Sequence, residues 1–230
     1  MTPTFRRAGL LFAIFLIAPV LAADPPETKK AVKTFTNSKT DLTGERADHY
    51  VEFSFDYPAD WTLDRQTGDK NPNFVAVDRS AVRPGAKDTL ENFNVGTFYG
   101  KGSSQKAVLA RKGETQKLKV RDQIMDPLKA FVAKSFPDAK VTGEGLTKVG
   151  AYDGYELRFA FEIKPKTGEP LNVWGRIILV PNPDAKANGV MLAMLGTSVA
   201  LELKTEKDLG TKGDLPVILN SFKFGKRAKP

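Results

Sequence analysis

Between Tyr50 and Tyr57 apolar and polar residues alternate strictly. Val51, Phe53, Phe55 and Tyr57 share one side of an extended chain, and Glu52, Ser54 and Asp56 share the other. A period of two marks a half-buried strand, and aromatic and β-branched side chains suit it. Pro58 ends the pairing because it has no N–H to donate, and Trp61 brings a large ring just past the corner. The alternation returns at 92–99, where Phe93, Val95, Thr97 and Tyr99 share a side. It returns again at 155–163, where Tyr155, Leu157, Phe159, Phe161 and Ile163 alternate with Glu156, Arg158, Ala160 and Glu162. Residues 74–78 form a short apolar run, followed by turn chemistry at Arg83-Pro84-Gly85. Residues 171–180 follow a turn at 166–169 and complete a hairpin. Asn188-Gly189 then turns the chain into 190–200, apolar almost throughout and therefore expected at the centre of the sheet.

Helical spacing appears in three places. Ser103-Ser104 offers a cap for a short helix through Arg111. Asp126-Pro127 predicts a helix start, since Asp supplies a capping oxygen and Pro is tolerated at the first helical position. Leu128, Phe131, Val132, Ser135 and Phe136 follow on one face, and Pro137 closes the helix. Asp214-Leu215-Pro216 caps a last helix with Leu215, Ile218, Leu219 and Phe222 on one face. Trp61, Trp174 and Phe131 are read as core. Strands joined by short turns imply an α+β fold: a mostly antiparallel sheet of about six or seven strands covered by two or three helices, an α/β/α sandwich.

The N-terminus changes the picture from fold to address. Arg6-Arg7, an apolar run from Ala8 to Leu21, and small residues at Ala22 and Ala23 have the form of a secretory signal peptide. The domain plan is a signal peptide over 1–22 and a polar linker over 23–48 with a short strand near Lys33 to Thr36. A globular domain follows over 49–225, and a basic tail over 226–230. A Sec-type signal cleaved after Ala22 or Ala23 places the mature protein in the periplasm or outside the cell, with no stable membrane span.

Composition narrows the chemistry. The net charge is +8, and +6 without Arg6 and Arg7, which favours association with anionic surfaces. There is no cysteine, so thiol catalysis, thiolate metal sites and disulfides are excluded. His49 is the sole histidine, which excludes multi-histidine zinc sites, and its place before a strand reads as surface. The glycines from Gly96 to Gly102 have the wrong spacing for a phosphate loop. Asp56, Asp60 and Asp64 lie near turns and form no catalytic motif. No catalytic, cofactor-binding or metal residue is therefore assigned. The one candidate surface is the basic segment Lys101, Lys106, Arg111, Lys112, Lys117, Lys119 and Arg121, with Glu114 its only acid between Lys101 and Arg121. It suits an acidic protein or an anionic envelope surface; nucleic-acid readout is not expected in an exported protein.

Residues 53–61, with their strand, proline and tryptophan, resemble the opening of PsbP-like domains, which share a fold with the nuclear import factor Mog1. The resemblance continues in Asn94-Val95, in the 126–136 helix, in Tyr155-Glu156-Leu157 and in Ser221-Phe222, and it spans about 50 to 224. It implies an antiparallel sheet sandwiched by helices in an exported protein without an established catalytic activity. Photosystem II members of the family bind a large membrane complex and influence its calcium and chloride. A single histidine departs from those members, and no binding residue is carried over. The expectation is an exported, non-enzymatic accessory or binding protein acting through protein or envelope-surface contacts. The alternatives are a carboxylate-dependent hydrolase on an anionic envelope polymer and an apolar-ligand carrier.

Overall fold

The computed structural model describes residues 30–65, 73–83, 86–100, 102–164 and 170–225. The expected signal peptide, the 166–169 turn and the basic tail lie outside them. The described residues build an α+β fold from two antiparallel sheets and four α-helices. The larger sheet has seven strands in the order β3-β4-β5-β9-β8-β7-β6. These are β3 (Thr62–Arg65), β4 (Asn73–Arg83), β5 (Ala86–Phe98), β6 (Lys140–Val149), β7 (Tyr152–Ile163), β8 (Leu171–Val180) and β9 (Gly189–Thr197). The apolar strand expected at the centre, β9, is the middle one of seven. The smaller sheet has the order β1-β2-β10, from β1 (Val32–Thr36), β2 (Phe53–Pro58) and β10 (Lys223–Phe224).

The alternating stretch after Tyr50 thus becomes the middle strand of a small sheet, not an edge of the large one. Its apolar side is buried as the pattern requires: Val51, Phe53, Phe55 and Tyr57 all lie in the core. Phe55 meets Phe93 of β5 edge-on at 5.3 Å, and Phe53 lies 5.8 Å from Phe74 of β4. One face of the large sheet is therefore covered by a second sheet together with a helix, where helices alone were expected. That helix, α4 (Leu215–Ser221), buries Leu215, Ile218 and Leu219. Its Ser221 hydroxyl donates to Val217 O at 2.7 Å and accepts the Asp56 N–H at 2.8 Å, which locks α4 to β2.

The other face carries α3 (Thr115–Ser135), which packs Met125 and Val132 on Tyr155, Leu157 and Phe159 of β7 and Ile177 and Leu179 of β8. Three expectations fail here. The helix begins eleven residues before Asp126-Pro127, and Pro127 lies inside it. Phe131, expected in the core, is 58% exposed, because Met125 and Val132 hold the sheet-facing position instead. Ser103 and Ser104 lie within the short helix α2 (Gly102–Lys106) rather than preceding it. The short strand expected near Lys33 to Thr36 is β1, which pairs with β2 over five residues and buries Phe35; α1 (Gly44–Asp48) follows, so from residue 30 the stretch read as a linker joins the fold. Strand β6 was not foreseen; its glycines and lysines hide the alternation, and it is an edge strand.

Candidate anion-docking face

The expected basic surface is built by α2, a 3-10 turn (Ala107–Leu109) and the first half of α3. Buried Gln105 fixes this connection to the body. Its Nε2 donates to Gly100 O at 2.8 Å and Ala187 O at 3.1 Å, and its Oε1 accepts the Asn182 N–H at 3.3 Å. Gly102 lies so close to Ala185 that a Cβ would stand 2.5 Å from the alanine methyl. The segment is thus clamped on the loop between β8 and β9 by a buried amide and a backbone contact that admits only glycine.

Of the seven basic residues singled out from sequence, Lys106, Arg111 and Lys117 line one open cleft of about 550 Å³. Its floor and far wall are Leu109, Tyr152, Pro181 and Pro183. Lys112 and Lys119 are exposed and do not line it. Arg121 is not a docking residue. Its guanidinium lies 4.5 Å from the Tyr155 ring centroid and donates to Ala110 O at 3.1 Å, holding α3 to the sheet and to the preceding turn. Lys101 lies outside the described residues.

The cleft is also lined by two carboxylates, Glu114 and Asp153, each paired with a lysine. The first turn of α3 has no acidic residue and contains Lys117. A cation there adds to the positive end of the helix dipole, at a cost of about 0.3–1 kcal/mol. Glu114 precedes the turn; its bond from Lys117 at 2.5 Å and from the Arg111 N–H at 2.8 Å hold its carboxyl below the usual range. Lys106 and Arg111 form no ion pair among the described residues. Two cations therefore stand free beside a helix N-terminus on a partly apolar floor.

A second open cleft, of about 900 Å³, lies at the far end of α3, between Phe136, Phe161, Ile163 and Trp174. Its carboxylates, Asp138 and Glu162, are solvated, and Glu162 lies 3.5 Å from Lys164. Sole His49 packs its ring 4.1 Å from that of Tyr99. Among the described residues no group of three or more metal-ligating side chains converges, and no helix is long and apolar enough to cross a membrane.

Sequence reading missed the buried charges. Arg176, 4% exposed in the apolar run of β8, donates to Glu156 at 2.7 Å and to Thr147 at 3.0 Å. Arg158 donates to Glu156 at 2.9 Å and to Glu206 O at 2.6 Å, so the supposed polar face of β7 lies beneath the β9–α4 loop. Burial pushes the Glu156 carboxyl up, but the two arginines outweigh it and hold it below the usual range. A second cluster joins Arg79, Glu91, Glu202 and Asp214. Its signal was legible: Glu91 falls in phase with Phe93 and Val95, on the core side of β5.

The molecule is thus an antiparallel α+β protein with one basic, cleft-bearing helical face. No family model matches the chain, and no curated protein matches it. Among solved structures it is similar to the cyanobacterial PsbP, CyanoP, of Synechocystis sp. PCC 6803. The identity is 12%, with 89% of this chain and 99% of that one covered at a TM-score of 0.45. It is also similar to PA94 of Pseudomonas aeruginosa, a protein of unknown function, at 11% identity, 64% and 79% coverage and a TM-score of 0.30.

Proposed function

We propose that the chain is an exported, non-enzymatic accessory protein of the PsbP-like type that docks on an acidic protein or anionic envelope surface. The observation that carries this is the convergence of Lys106, Arg111 and Lys117 on one clamped cleft at the N-terminus of α3. Lys117, in the first turn of α3, opposes that helix's dipole, and an external anion at the cleft would offset it. The export half rests on the signal-peptide pattern and the order of motifs in the sequence. The hydrolase alternative gains little from the same cleft. Glu114 is paired with Lys117, which holds its carboxyl below the usual range, and Asp153 is paired with Lys148 at 2.6 Å.

The test is retention of the protein by an isolated envelope fraction across a salt series. Binding is expected at low salt and is lost as salt screens the charges. The triple variant Lys106→Glu, Arg111→Glu, Lys117→Glu should bind at least tenfold more weakly. A control with the same net change, Lys204→Glu, Lys207→Glu, Lys223→Glu, should bind almost as well as wild type. Absence of wild-type binding at every salt concentration, or equal losses in both triples, overturns the proposal.

A further inference from the structure

Glu91 is fully buried, and its two oxygens are treated unequally. Oε2 accepts from Arg79 Nη1 at 3.1 Å, whereas Oε1 has no hydrogen-bond partner. Instead Oε1 faces Gly213, where a Cβ would stand 3.1 Å away; the glycine's φ of 71° is one that L side chains rarely adopt. Gly213 ends the 198–213 loop that roofs the site, and Gly210 has a φ of 77° three residues earlier. The roof is held by charge. Arg79 of β4 also bonds Glu202 of the loop and lies 3.9 Å from Asp214, which precedes α4. Asp214 does not cap α4 as its sequence position suggests. It accepts Lys30 Nζ through both oxygens, at 2.7 and 2.8 Å, and lies 3.4 Å from Trp61 Nε1. Lys30 belongs to the N-terminal arm just before β1.

Two cations, Arg79 and Lys30, thus serve three carboxylates from β5, the loop and the α4 N-terminus. We propose that Glu91 is a proton-operated latch: protonated, it lets the 198–213 loop and the N-terminal arm close over β5; ionised, it drives them open. With Glu91 neutral, Arg79–Glu202 and Lys30–Asp214 form two balanced pairs. With Glu91 charged, one negative charge is in excess and an anionic oxygen is buried without a donor, a state relieved only by admitting water. Burial, opposed by Arg79, raises the Glu91 carboxyl to about 7. A group whose closed-state pKa exceeds its solvated value stabilises the closed form fully below the solvated value, and that contribution is lost as pH rises to the closed-state value. The window here is about pH 4.5 to 7. The sole histidine packs on Tyr99, away from the cluster.

The test is hydrogen exchange of peptides from the loop and from β1, corrected for the intrinsic effect of pH. In wild type the opening constant should rise by up to about tenfold per pH unit from pH 5 to 7 and then level off. Glu91→Gln should flatten this rise, and Glu202→Gln, which removes the excess negative charge and leaves Arg79 to Glu91, should reduce it without abolishing it. An unchanged rise in Glu91→Gln overturns the latch. So does direct carboxyl NMR titration of Glu91 in the wild-type protein with a midpoint near 4.5, a readout that needs no variant to fold.

Discussion

Arg46 of α1 is 3% exposed, and none of its three guanidinium nitrogens has a hydrogen-bond partner among the described residues. Replacing even a buried ion pair with well-packed apolar residues is often neutral or stabilising by about 1–4 kcal/mol, and burying a polar group without a hydrogen bond is costly. Arg46→Met should therefore raise the midpoint of urea unfolding, whereas a fall in stability would show that Arg46 has an unseen partner. Buried charges are also where sequence was least legible. Arg176 and Glu156 have the composition of a solvated face, and only their loop cover makes them interior. Glu91 was legible, because strand phase puts it beside Phe93. The cleft was half legible: charge clustering found Lys106, Arg111 and Lys117, but it cannot separate them from Arg121, whose position is set by the Tyr155 ring.

At the level of elements, the strands were read well because their side chains obey a period of two whatever covers them. The helix α3 was read badly. Its stripe is weak, and Asp126-Pro127 has the local chemistry of a start although tertiary packing carries the helix through it. Pro127 removes the N–H that would bond Gln123 O four residues earlier, at a point where both residues are exposed. Proline inside a helix costs about 3 kcal/mol relative to alanine, partly offset by its stiffening of the unfolded chain, worth about 0.4–1 kcal/mol. Pro127→Ala should thus stabilise the protein by about 2 kcal/mol in denaturant unfolding. No gain would mean that Pro127 itself helps fit α3 to the sheet. Strand β6 escaped notice for the opposite reason: Gly143, Gly145 and the bulge between Val141 and Gly143 break the alternation.

Across the whole molecule the two faces of the large sheet are unequally stapled. On one side Phe53, Phe55, Phe74, Phe93 and Phe222 interlock between the sheets and α4 in a continuous apolar core. On the other, α3 buries only Met125 and Val132 of its 21 residues, and its remaining ties are few. Among the described residues they include Lys129–Glu144 at 2.5 Å, the Arg121–Tyr155 stack, the Arg121 bond to Ala110 O and the contacts of half-buried Ile124, Leu128 and Phe136. At about 25 cal/mol per Å² of apolar area, burial of this extent holds a helix less firmly than the aromatic core holds the sheets. Elements with few buried contacts open before the global transition. Native-state hydrogen exchange in low urea should show α3 amides exchanging through an opening of lower free energy and weaker urea dependence than those of β5, β8 and β9. Coincident free energies and slopes would instead make the molecule one cooperative unit. The consequence for docking follows from the charges. An anion bound at Lys106, Arg111 and Lys117 would neutralise the cations that oppose the α3 dipole, so binding should raise the protection of α3 while leaving β5 unchanged.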